Sequence, residues 1–174
     1  MQKSKFFLML FSVCVLAISL TGCSQKGPDI LENPLILASK DFDPDNFTVG
    51  GVTFGDTKDQ IPTKYAISLL TMSGTLKYGL RKNNIIVFTN ISDDESNETI
   101  TEFTLYIPGK LLNIYRPSDI PKVFGKPTST SQYFDGYVYS NKHLWVSFSP
   151  SIDLLDLKDV VVISIEKFWS ISVK

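Results

Sequence analysis

The chain has 174 residues, of which 43% are hydrophobic, 12% aromatic and 20% charged, a composition that suits a folded globular protein and excludes a disordered one. Seventeen basic against 18 acidic side chains give a net charge of −1, so there is no basic surplus with which to bind nucleic acid. One histidine, His143, and two cysteines, Cys14 and Cys23, leave little material for a metal cluster or a disulfide framework, and no metal site or cofactor is expected.

Lys3 and Lys5 make a short positive leader, and Phe6 to Ile18 is an uncharged, almost wholly apolar run of 13 residues. That length suits a secretory signal and falls short of the roughly 20 residues a helix needs to span a bilayer. Leu20-Thr21-Gly22-Cys23 follows at the position where a signal peptide is cut. This tetrad resembles the lipobox of bacterial lipoproteins. The resemblance implies that Cys23 receives a diacylglycerol on its thiol and that residues 1–22 are removed as a signal peptide. Cutting there leaves 152 residues, with 15 basic and 18 acidic side chains and no free thiol. The expected location is the bacterial cell membrane or outer membrane, lipid-anchored and facing away from the cytoplasm. Attachment rests on the acyl chains, each buried CH₂ contributing about 0.8 kcal/mol.

Residues 23–47 carry Gly27, Pro28, Pro34 and Pro44, a density that prevents a long helix and reads as a tether. Within it, Pro34-Leu35-Ile36-Leu37-Ala38 has the apolar character to dock as an edge strand or pack on the core. The remainder reads as two units, 48–110 and 111–174, forming one domain. Asp59-Gln60-Ile61-Pro62 and Ser118-Asp119-Ile120-Pro121 both place an Asp before Ile-Pro, 59 residues apart. Thr57 stands in capping-box spacing from Gln60, and Phe124-Gly125-Lys126-Pro127 is a helix stop, so each unit is expected to open with a helix. Three strand-like runs follow in each: 74–80, 85–90 and 99–107, then 132–140, 143–149 and 159–166. The fold class expected is α+β, with two tandem helix-plus-three-stranded antiparallel meander repeats forming one curved sheet and the helices on one face.

Period-2 alternation puts Tyr78, Leu80, Val87, Phe103, Leu105, Ile107, Tyr137, Tyr139, Val146, Val161, Ile163 and Ile165 toward the helices. Glu102, Thr104, Tyr106, His143, Trp145, Ser147, Ser164 and Glu166 share the opposite face, polar but dotted with aromatics. Phe54-Gly55-Asp56-Thr57-Lys58 before the first helix and Val123-Phe124-Gly125-Lys126-Pro127 after the second resemble the tandem-repeat fold of the β-lactamase inhibitor protein family. Each unit is also similar to the outer-membrane assembly lipoproteins of the BamE/SmpA type. The resemblance departs where a glycine should close the first helix, since Tyr65 to Leu70 holds none. It implies a curved sheet that engages a protein partner without catalysis.

The chemistry-bearing residues point the same way. Asp41, Asp43 and Asp45 have the spacing that opens a calcium loop, but glycine is missing at the sixth position and Val52 stands where a bidentate Glu belongs. Asp93-Asp94-Glu95 and Glu98 read as a hydrated loop. His143 has no Gly-x-Ser-x-Gly elbow to serve, and Glu102 and Glu166 lie on a wet face where neither carboxyl is tuned for acid–base work. No catalytic residue is therefore assigned. The expectation is a non-catalytic protein-binding module of inhibitor, immunity or envelope-scaffold type. Tyr106, His143 and Trp145 would be its anchors, and Glu102 and Glu166 its polar selectors. A small-molecule or cell-wall-glycan binder using the same aromatics is the alternative.

Overall fold

A computed structural model of the chain describes residues 27–70, 76–91, 99–131 and 136–167. They form eight strands in a single antiparallel sheet: β1 (Ala66–Leu70), β2 (Leu76–Lys82), β3 (Ile85–Ile91), β4 (Ile100–Pro108), β5 (Ser129–Ser131), β6 (Gly136–Tyr139), β7 (Leu144–Ile152) and β8 (Leu157–Glu166). The strand order is β1-β2-β3-β4-β8-β7-β6-β5, so two four-stranded meanders meet through their last strands. The α-helix described is one five-residue turn, α1 (Ile120–Phe124), and the remaining helical turns are of the 3-10 type.

The expected pair of helix-plus-three-strand repeats is therefore not what forms. At the first expected helix, the Thr57 N–H does donate to Gln60 Oε1 at 2.8 Å, the reciprocal half of a capping box. It caps only a 3-10 turn at Lys58–Gln60. Pro62 lacks the N–H that would continue a helix, and Ala66–Leu70 instead pairs with β2 as an edge strand, from Ala66↔Leu80 to Leu70↔Leu76. Beyond Gly125, at φ +84°, Ser129–Ser131 forms a strand at the other edge, outside the runs expected from alternation.

Local chemistry explains the hairpins. Asn83 and Asn84 both take positive φ, 52° and 61°, between the paired residues Lys82 and Ile85. That is the signature of a two-residue type I′ turn, which asparagine tolerates and β-branched residues do not. The β6–β7 and β7–β8 links each use a 3-10 turn closed by one left-handed residue, His143 and Asp156 respectively.

One sheet face holds the core, with Leu80, Val87, Phe103, Leu105, Ile107, Val146, Val161, Ile163 and Ile165 all fully buried. The layer packed on it comes from two irregular segments, residues 30–61 and 112–124, with Ile30, Leu31, Leu37, Phe47, Leu112, Ile114 and Ile120 in the same cluster. From residue 27 onward, then, the stretch expected to be a tether is part of the folded body. Pro34–Ala38 is a 3-10 turn that buries Leu37. The Asp29 carboxylate accepts the Leu31 and Gly50 N–H groups at 3.0 and 2.9 Å, folding the segment back on itself. Phe47 sits among Phe42, Phe54 and Phe103 with ring centroids 5.3–5.8 Å away, joining this layer to β4.

Candidate functional site

The strand registers arrange the face turned away from the core in rows. One row runs Val138–Trp145–Ser164–Thr104–Phe88–Gly79 across β6, β7, β8, β4, β3 and β2. The next runs Gly136–Ser147–Val162–Tyr106–Ile86–Arg81. On the other side of the first lies Glu166–Glu102–Asn90. Four of the five residues expected to form the site thus share this face: Tyr106, Trp145, Glu102 and Glu166, all half-buried. Trp145 alternates with Leu144 and Val146, which belong to the core, and so points away from it.

His143 is placed differently. It lies outside β7, closing the Ser140–Lys142 turn in a left-handed conformation, φ +53°. The left-handed backbone breaks the two-residue alternation that grouped it with Trp145. Its carbonyl oxygen accepts the Glu166 N–H at 3.4 Å, which ties the turn to the end of β8.

The face is also less polar than the alternation implied. Ile86, Phe88, Val138 and Val160 are buried yet stand apart from the core cluster. Phe88 meets Tyr106 edge-on at 5.9 Å between centroids. Two glycines make room for the large rings. A Cβ at Gly79 would stand 2.9 Å from the Phe88 ring, and one at Gly136 only 2.6 Å from Trp145 Nε1, so each aromatic lies against bare backbone. The signal for this second apolar set was present in Ile85-Ile86-Val87-Phe88 and Val160-Val161-Val162, which are apolar at both parities rather than at one.

Glu102 is held more firmly than a surface glutamate. Asn90 Nδ2 donates to its Oε2, while the hydroxyls of Thr104, at 3.2 Å, and Ser164 donate to its Oε1. A bulge opposite Asn90 and Ile91 leaves Thr101 as the extra residue just before Glu102, and the Thr101 hydroxyl bonds the Asn90 carbonyl at 3.3 Å. Bulges of this kind re-aim neighbouring side chains. Directly across the strand boundary stands Glu166, whose carboxyl pKa is raised by burial first and by the Glu102 charge second. Tyr106 is raised likewise, by burial and then by Glu102. None of Asn90, Phe88 or the bulge carried a functional signal in the sequence, because each acts only through cross-strand registration.

A second ordered polar centre lies at the margin of the core. Lys142 is buried, and its Nζ donates to the carbonyls of Ser39 at 2.7 Å, Ala38 at 3.2 Å and Leu37 at 3.4 Å. These are the acceptors exposed at the end of the 3-10 turn, where a cation is favourable. Burial pushes the ammonium pKa down.

Among the described residues no group of three or more His, Cys, Asp and Glu side chains is placed to hold a metal ion. Asp43 Oδ1 accepts the Asp45 N–H at 3.0 Å, a local turn, and Asp41 and Asp43 border a cavity of about 210 Å³ with Pro28, Ile36, Ser39, Phe42 and Asn46. Cys14, Cys23 and the acidic run Asp93-Asp94-Glu95 with Glu98 lie outside the described residues. No protein-family model, curated protein or solved structure matches the chain.

Proposed function

We propose that the chain is a membrane-anchored extracytoplasmic lipoprotein, attached through diacylglycerol on Cys23. Its domain binds another protein of the cell envelope through the sheet face opposite the core and catalyses no reaction. The observation that carries the reading is the gathering on that one face of Tyr106 and Trp145, both half-buried, with the buried Phe88 and with Glu102, which Asn90, Thr104 and Ser164 hold in place. Half-buried aromatics beside fixed polar groups are the composition of a protein-binding surface. A role in inhibition, immunity or envelope scaffolding uses such a face without chemistry. The Leu20-Thr21-Gly22-Cys23 tetrad behind a charged, then apolar, leader supports the anchor.

Two experiments test it. Changing Cys23→Ser is expected to release the protein from the membrane fraction, and retention there contradicts the anchor. Trp145→Ala is expected to abolish co-purification of an envelope protein while circular dichroism stays unchanged. Binding to isolated cell-wall glycan, with no protein retained, would contradict the choice of partner.

A further inference from the structure

The fold shortens the tether. Of the stretch expected to lift the domain off a membrane, residues 27–47 belong to the folded body, which leaves four peptide links between Cys23 and Gly27. Fully extended, these reach about 14 Å. Gly27 is itself fixed in place: a Cβ there would collide with the Asn46 carbonyl. The Pro28 carbonyl accepts the Thr48 N–H at 3.0 Å, and the Thr48 carbonyl accepts the Ile30 N–H at 2.9 Å. The chain therefore enters the body through the irregular layer that covers the core, on the side of the sheet away from Trp145 and Tyr106. Pro28 and Ile36 border one cavity, which brings Gly27 close to the Pro34–Ala38 turn, and that turn packs against α1. Among the described residues, the large apolar side chains left exposed are Leu35, at 44%, on this turn, and Tyr115, at 64%, on the segment leading into α1. Both belong to the covering layer.

Resting on the Cys23 anchor proposed above, we infer that the covering layer lies against the bilayer surface, with Leu35 and Tyr115 at the level of the headgroups, and that the opposite face of the sheet is turned outward. A domain of this size has a radius of gyration of about 15 Å and is roughly 40 Å across. A link of about 14 Å is well short of that width, so the body cannot turn over to lay the far face of the sheet on the lipid that holds Cys23. Tyrosine suits the boundary because its ring is apolar and its hydroxyl polar, and leucine adds apolar area for the headgroup region. Asp41, Asp43 and Asp45 are exposed on the loop that runs into Asn46, beside the same entry point, so attraction to anionic lipid is not the force. The short link and the two apolar side chains set the orientation. The outward face, and a partner meeting it, is then held within roughly 55 Å of the same bilayer.

The test uses the lipidated chain in vesicles of phosphatidylethanolamine and phosphatidylglycerol, a fraction of whose headgroups carry a nitroxide quencher. The processed chain has no free thiol, so one introduced cysteine takes one fluorophore: Leu35→Cys, Tyr115→Cys, or Arg81→Cys, which is exposed on the opposite face. The expected result is quenching at positions 35 and 115 at least about threefold stronger than at 81. Inserting about 20 Gly/Ser residues between Lys26 and Gly27, which adds a reach of roughly 25 Å, is expected to shrink that ratio. A ratio unchanged by the insertion overturns the short link as its cause. Equal quenching at the three positions of the uninserted chain, or stronger quenching at 81, in material that floats with the vesicles and carries the diacylglycerol mass on Cys23, overturns the orientation and leaves the anchor standing. Material that neither floats nor carries that mass overturns anchor and orientation together.

Discussion

Replacing Lys142 by methionine keeps the aliphatic stem and removes the ammonium. Three carbonyls, of Leu37, Ala38 and Ser39, then lose the ammonium at the end of a 3-10 turn, and Ser39 keeps the Phe42 N–H at 3.3 Å. Each hydrogen bond to a charged group is worth about 1.5–3 kcal/mol, and the cost of burying the ammonium, evident in its lowered pKa, offsets most of the sum. A net loss of about 2 kcal/mol remains, equivalent to a fall of about 4–8 °C in Tm for a domain of this size. Thermal unfolding followed by circular dichroism reads the shift, and hydrogen exchange should locate the loosening at residues 30–54. The pH dependence has a defined sign. Because the folded pKa lies below the ordinary lysine value, the folded state holds fewer protons than the unfolded one between the two, and wild-type stability rises with pH across that window relative to Lys142→Met. A variant as stable as the wild type, or exchange unchanged in the first 30 described residues, would refute the view that this lysine pins the covering segment to the sheet.

Glu166→Gln should raise stability at neutral pH by roughly 0.2–1 kcal/mol. The folded pKa of Glu166 is raised, so its penalty is absent in acid and appears as pH rises through that pKa; wild type and variant should converge below about pH 4 in urea unfolding. Gly136→Ala places a methyl 2.6 Å from Trp145 Nε1 and should cost about 1–3 kcal/mol, much less in a Trp145→Ala background. Additive costs in that double-mutant cycle would contradict the packing of the indole on Gly136.

What the sequence revealed and what it hid follow from the range of each interaction. Strands β2, β3, β4, β6, β7 and β8 overlap the six runs expected from alternation, because that pattern is local. The helix expected after Thr57 failed because a good cap specifies only a first turn; Pro62 and the pairing of Ala66–Leu70 with β2 decided the rest. Residues 27–47 looked like a tether because prolines break helices, yet an irregular chain can still bury Ile30, Leu37 and Phe47 when a sheet face needs covering. Trp145 and Tyr106 were legible on one face by parity alone. The hold on Glu102 by Asn90 and Ser164, 12 and 62 residues away in sequence, was not.

On the function proposed above, the sheet face opposite the core meets a protein partner in the envelope. A photo-crosslinking residue at Ser147, on that face, compared with one at Tyr115, 64% exposed on the covering side, tests it in intact cells. A discrete adduct is expected from position 147, none from position 115, and loss of the adduct with Trp145→Ala. Equal adducts from both positions, or an adduct from 115 alone, would contradict it.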